Sequence, residues 1–484
     1  MTRKGNNKMT EIFRRPKIGV LLIEAERFRE LGDGTVRGTY AVRKDEETAS
    51  YIKKIEEFAD VVYPGPVWER DGAERAARLF YNEGVDCVAA GFLSWAEDFA
   101  WIRFLRELPP MPLFFMSVVR DSLSITDTND EDQFIDFLSA GALVGFQEAS
   151  GSFRRFDRPM SDMAIGTLDE VTEKLKVFSA AARVRSTLRR SRISLLSCFN
   201  EAMWATYLDH YNLFMKMGPE IHFLSISELV NEINVTSDET VAGIVKELTS
   251  EHEVYPNVDM AKLDASVRAS YAMEQIAAKA DTDLLVLNDI DTVLFREVGL
   301  RPGFAPTSYD LPLVTVPEGD IGGGLATYIL HALTGRRSNF IEPFYIDHAR
   351  GAFVAGHAGP NDYRDPEGRM IIARDERFAK SGWKYAGAPF AWYVFPEGEK
   401  TMLHMSEKNG RMKMVTTVVD CLPTKHYLAS YSHADFAPRG MSPEELFARI
   451  GACGVTQHYG IAPGDVTAEL EALAHMLDID FYRI

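Results

Sequence analysis

The chain has 484 residues, 46% of them hydrophobic and 26% charged, enough apolar material for about three cored domains without disulfide or metal staples. Its 71 acidic residues against 53 basic ones leave a formal net charge of −18, which disfavours a nucleic-acid backbone or an anionic membrane as partner. Small neutral or metal-bound ligands fit better. Four cysteines, Cys87, Cys198, Cys421 and Cys453, show no C-x-x-C spacing, so neither a zinc knuckle nor a disulfide framework is expected and all four read as reduced.

Residues 1–16 are polar and basic, without the apolar core and cleavage site of a secretory signal, and no later apolar run is long enough to span a bilayer. The expected location is cytoplasmic. From residue 17, apolar β-rich runs alternate with helical periodicity: strands over 17–23, 61–63, 85–92 and 112–119, helices over 45–59, 71–82 and 95–108. This rhythm predicts a parallel sheet flanked by helices, a first domain over residues 1–183 with a crevice at its strand ends. After the basic stretch 183–192, a strand over 193–199 restarts the alternation. Helices near 201–217, 226–233, 237–252 and 261–280 and strands over 283–288 and 311–316 complete a second α/β domain, residues 184–338.

From 339 the texture changes to short strands at close spacing, over 340–346, 352–355, 370–373, 391–395, 401–405 and 412–419. Helices over 443–452 and 466–477 and a strand near Phe481 end the chain. The expected fold is therefore α/β, with two successive parallel-sheet, Rossmann-like domains followed by a C-terminal antiparallel, β-rich, barrel-like domain over 339–484.

Within VTVPEGD, Glu318 falls just past a buried strand and just before a helix that begins with Gly322, Gly323 and Gly324. Positive potential at that helix N-terminus keeps a carboxylate ionised, which suits a metal ligand or base, although an isolated Glu there is more often a dipole-compensating residue. Glu342, in NFIEPFYIDH, follows 24 residues later, room for one helix, a turn and a return strand, so the two carboxylates can meet at one sheet end. Pro343 biases Glu342 towards extended backbone. His357 in VAGHAGPND and His458 in GVTQHYG both lie near glycines that let the backbone bend closely around an imidazole; taken singly, His357 reads more often as a hydrogen-bonded turn residue and His458 equally well as a partly buried structural histidine.

The order EGD, helix, strand glutamate, G-H-G and a late histidine before the final helix resembles the arabinose and fucose isomerases. VPEGDIGGGLATYILHALTG followed by FIEPFYIDHARGAFVAGHAG carries the resemblance most strongly; it extends to ISLLSCFNEAMWATYLDHYNLFMKMG, LSISELVNEINVTSDE and the terminal GVTQHYGIAPGDVTAELEALAHMLDIDFYRI. It implies that Glu318, Glu342, His357 and His458 bind manganese, with cobalt or magnesium as substitutes, a donor set suited to a first-row divalent ion. It further implies interconversion of an open-chain aldose and its 2-ketose through an enediol, with Glu318 and Glu342 as the acid-base pair. A homohexamer or related trimer-based assembly, with a small sugar as partner, is the implied setting. This chain carries Gln457-His458 where arabinose isomerases commonly carry His-His, and Gly322 where their EGDWK stretch carries lysine, which leaves the identity of the sugar open.

Arg27, after the first strand, Gln457 and His433 are further substrate-facing candidates, whereas Trp392 is explained by an aromatic strand core. The Gly322 to Gly324 run lacks the spacing and terminal lysine of a nucleotide loop, and is expected to let substrate or a neighbouring helix approach. Tyr207, Tyr211 and Phe214 follow helical spacing and are expected to face the core. The same metal site would also serve a sugar or sugar-acid epimerase, lyase or decarboxylase, and two α/β domains in series suit a non-catalytic sugar-binding protein.

Overall fold

The computed structural model describes residues 12–35, 39–308 and 313–484. It divides into two compact units, one of Arg14–Ser186 with His475–Asp478, the other of Thr187–Ala474 with Ile479–Ile484 and the described end of Met1–Phe13.

In the first unit, β1 (Lys17–Ile23), β2 (Asp60–Val62), β3 (Cys87–Phe92), β4 (Leu113–Val118) and β5 (Ser161–Gly166) form one parallel sheet in the order β2-β1-β3-β4-β5. Helices cover its faces, so central strands such as β3 are buried along their whole length and read as continuous apolar runs. Trp101 anchors one side, stacked between Phe104 and Phe115. Helices Glu131–Ser139 and Ala142–Arg155 and strand β5 escaped the sequence pattern for local reasons. Ala142–Arg155 contains Gly145, Gly151 and two serines, weak helix formers, and β5 is an edge strand that buries only Ala164. The basic residues Arg183 and Arg185 belong to a long helix, Leu168–Leu188.

In the second unit, β6 (Arg192–Leu196), β7 (Glu220–Leu224), β9 (Leu284–Leu287) and β10 (Val314–Val316) form a parallel sheet in the order β10-β9-β6-β7, while the two-residue β8 (Glu253–Val254) joins a different sheet. The predicted strand residues Leu311 and Pro312 lie outside the described residues. Strand order reverses between β6 and β9, and a cleft of about 860 Å³ opens there, past the strand ends, lined by Ser197, Asn200, Ser225, Asn288 and Asp291 among others.

The remaining strands are β11 (Asn339–Asp347), β12 (Ala352–Ala358), β13 (Arg369–Arg374), β14 (Pro389–Val394), β15 (Gly398–Lys408), β16 (Arg411–Leu422), β17 (Tyr431–Pro438), β18 (Tyr459–Pro463) and β19 (Asp480–Arg483). Six of them close an antiparallel barrel in the order β16-β15-β18-β11-β12-β17, the pairing of β16 with β17 completing the ring. β14, β13 and β8 extend the sheet from β17, and β19 runs parallel to β16. Two parallel sheets with alternating helices and a C-terminal barrel thus agree with the fold expected from the sequence. The change of texture at Asn339 falls inside one compact unit.

Helix Ile321–Thr334 packs against both β9 and β10 of the parallel sheet and β15 and β18 of the barrel. It is apolar on every side and buried from Ile321 to Ala332. Its glycine run makes this approach feasible: a Cβ on Gly322 would lie 2.5 Å from the Met405 carbonyl oxygen, and one on Gly323 would enter the Phe340 ring. The glycines therefore serve the fit of neighbouring elements.

Tyr207, Tyr211 and Phe214 correct their expected burial, since all three are exposed, Tyr211 by 76%. The helix there is short, His210–Lys216, and its one buried residue is Leu213, so Tyr211 and Phe214 lie on its outer face, while Tyr207 precedes it in extended backbone. All four cysteines are free, and among the described residues no helix is long and apolar enough to cross a membrane.

Candidate metal centre

Three side chains from three separate places in the chain meet where helix Ile321–Thr334 enters the barrel. Glu318 sits between β10 and that helix, His357 on β12, and His458 immediately before β18. Their ligand atoms all lie within 4.8 Å of one another, and all three residues are buried. Nε2 of His458 is 3.2 Å from one carboxylate oxygen of Glu318, and Nε2 of His357 is 3.6 Å from the other. Both Nε2 atoms are buried without a hydrogen-bond partner.

Each imidazole is oriented through its other nitrogen. Nδ1 of His458 donates to Oδ2 of Asp320 at 2.8 Å, and Nδ1 of His357 donates to the Ala358 carbonyl at 2.6 Å. With Nδ1 engaged in this way, each Nε2 is turned towards Glu318, the orientation found in metal-ligating histidines. Asp320 also caps the helix, its Oδ1 accepting the Gly323 N–H at 3.0 Å. His404 steadies the same corner, with Nδ1 donating to the His458 carbonyl at 2.8 Å. The Phe340 ring lies against both imidazoles, with ring centres 4.9 Å from His357 and 4.6 Å from His458.

Glu318 occupies the left-handed region with φ of 64°, where a residue with a side chain loses roughly 1–2 kcal/mol. Its peptide groups are clamped on both sides: Asp289 accepts its N–H at 2.8 Å, and the Asn200 amide donates to its carbonyl at 3.0 Å. Burial alone would raise its carboxyl pKa, but the His357 and His458 imidazoles beside it more than offset this and hold it well below the ordinary carboxylate range. For His458, burial works against the charged form, yet Asp320 and Glu318 lift its pKa to about 9. The site attracts positive charge, and two orphaned imidazole nitrogens beside a carboxylate fit a divalent ion.

Glu342, the fourth expected ligand, lies on β11 opposite Gly356, next to His357 in the barrel wall. Its carboxylate comes within 3.9 Å of His357 Nε2, outside the tight group of three. The side chain is 26% exposed, against 7% for Glu318.

Of the substrate-facing candidates, Gln457 is exposed beside His458, its amide 2.8 Å from the Met203 sulfur. His433 lies on β17 opposite Gly356, but both its ring nitrogens face backbone carbonyls, of Tyr431 at 2.7 Å and Lys425 at 3.3 Å. It serves the barrel's own backbone and leaves no ring nitrogen for a ligand. Arg27 belongs to the Arg14–Ser186 unit, where it is exposed, 3.4 Å from Glu97 and stacked over Trp95. Sequence reading missed Asp320, Asn200, Asp289 and His404 as supports. Asp320 had a local signal, being the capping residue of the glycine-rich helix; the others act across chain separations that no local pattern encodes. No known protein family matches the chain, and neither does any curated protein.

Proposed function

We propose that this protein is a divalent-metal-dependent aldose-ketose isomerase. The observation that carries the reading is the pair of buried, unpartnered Nε2 atoms of His357 and His458 aimed at the carboxylate of Glu318. Glu318, His357 and His458 would hold the ion, with Glu342 beside them, and manganese suits this set of oxygen and nitrogen donors, with cobalt or magnesium as substitutes. When bound, the ion supplies Lewis acidity to adjacent carbonyl and hydroxyl oxygens of a small open-chain sugar.

The protein's own groups divide the remaining work. Glu318, held ionised between two imidazoles, is a poor proton acceptor and acts as a ligand. Glu342 is less enclosed and is the group that would take the proton from C2 of the aldose and return it at C1 through an enediol, while the hydroxyl proton passes from O2 to O1. Gln457 orients the sugar at the exposed lip. Phe340 and the surrounding barrel wall keep water from the inner side of the cluster. Assembly into a homohexamer or trimer-based oligomer remains part of this proposal.

The test is incubation of manganese-loaded protein with a panel of aldoses and sugar acids in deuterated water, followed by NMR. A new ketose, an unbroken carbon chain and deuterium at the exchanged carbon support isomerisation. A C2 epimer, cleaved fragments or lost carbon dioxide would assign the site to other enediolate chemistry, and binding without exchange would make the protein a sugar-binding one.

A further inference from the structure

Against the backbone of Glu318, a charged pair is sealed inside the unit. Asp289, just past the end of β9, has no exposed surface; one of its oxygens accepts the Glu318 N–H, and the other lies 2.8 Å from Nε of Arg301. The Arg301 side chain is 4% exposed, and its guanidinium stands 5.3 Å from the centre of the Phe378 ring. Neither of its terminal nitrogens has a hydrogen-bond partner among the described residues. A buried guanidinium loses its hydration, and one carboxylate and an aromatic face are meagre compensation. Packing alone would be better served by methionine or leucine.

The pair also backs the chain that carries His357. Gly359, two residues further on, has φ of 90°, and a Cβ there would lie 2.8 Å from Oδ2 of Asp289 and 3.3 Å from Cδ of Arg301. One ion pair thus touches the backbone of Glu318 and the turn after His357 at once. We propose that Asp289 and Arg301 are positioning residues of the metal centre, fixing the left-handed Glu318 and the His357 turn at the separation that lets both reach one cation. The inference rests on reading Glu318, His357 and His458 as that centre.

The experiment uses the full chain, stripped of metal and titrated with Mn²⁺ by calorimetry, with the Mn²⁺ paramagnetic resonance spectrum and thermal melt recorded in parallel. The Asp289→Leu/Arg301→Met double variant removes both charges while keeping apolar volume, so its fold is expected to persist. Its Mn²⁺ affinity should fall by about 10- to 100-fold, the usual loss for second-layer supports, with a broadened spectrum from a less uniform site. Gly359→Ala, which pushes the turn off the pair, should weaken Mn²⁺ in the same direction and decides the matter if the double variant does not fold. Unchanged affinity and spectrum in the folded variants, with the wild type binding normally, overturns the positioning role alone. A wild type that binds no divalent ion overturns the metal reading and this inference together.

Discussion

A carboxylate wedged between two imidazoles, with its backbone in a left-handed turn, depends on neighbours that do no chemistry themselves. Asp320 is the clearest, because a single side chain caps a helix and holds His458. In Asp320→Asn the oxygen can still cap Gly323, but the amide then presents a donor to Nδ1 of His458 and favours the opposite tautomer. Mn²⁺ affinity measured by calorimetry is expected to fall about 10- to 100-fold while helix content by circular dichroism is retained. Glu342→Gln should behave in the reverse way. Lying outside the tight group, it is expected to keep Mn²⁺ within a few-fold of wild type and to lose turnover by about 100- to 10,000-fold, the range for a general base, in an assay of ketose formation. Loss of metal with loss of activity would instead make Glu342 an obligatory ligand.

Helix Ile321–Thr334 owes its place to glycines that admit Phe340 and Met405 where side chains would stand. Gly323→Ala gains helix propensity yet drives a methyl into the Phe340 ring, and the clash should dominate. Net destabilisation of roughly 1–3 kcal/mol is expected in urea unfolding, with weakened metal binding because Phe340 lies against both imidazoles. Helix Met260–Lys279 carries a different liability, the buried Glu274. Burial raises its pKa to about 8, even though Thr307 donates to both carboxylate oxygens through its N–H and its hydroxyl. An acid whose folded pKa lies above its unfolded value leaves stability intact below about pH 4.5 and removes it as pH rises from there through 8. Thermal melts of wild type and Glu274→Gln from pH 5 to pH 9 should therefore diverge, the wild type losing up to about 1.4 kcal/mol per pH unit relative to the variant. Parallel curves would show that the carboxyl is no more protonated in the fold than in the unfolded chain.

The chain as a unit of folding consists of two compact parts, and Glu318, His357 and His458 all lie in the one that contains Thr187–Ala474. Mn²⁺ that binds only this folded part should raise its calorimetric transition and leave that of the Arg14–Ser186 part unmoved. At about one hundred times the dissociation constant the stabilisation is roughly 2.7 kcal/mol. A shift of both transitions by Mn²⁺ would mean that the parts unfold together or that the ion binds elsewhere too.

The fold class and the approximate placing of most strands and helices could be read from the chain, because burial of one or both faces of an element leaves a period in the residues that form it. The three clustered side chains were legible as candidates, Glu318 beside a glycine-rich helix start, His357 next to Gly356 and His458 two residues before Gly460. Convergence was not legible. Glu318 and His458 stand 140 positions apart, and it is the packing of strand β18 against helix Ile321–Thr334 that brings them within 3.2 Å. The same holds for Asp289 and Asn200, which reach Glu318 from neighbouring strand ends, and for His433, whose nitrogens were claimed by carbonyls that only a folded barrel presents. Local periodicity records which side of an element is buried; what that side meets is set by packing over long chain separations, and the Glu318–His357–His458 group exists at such a meeting.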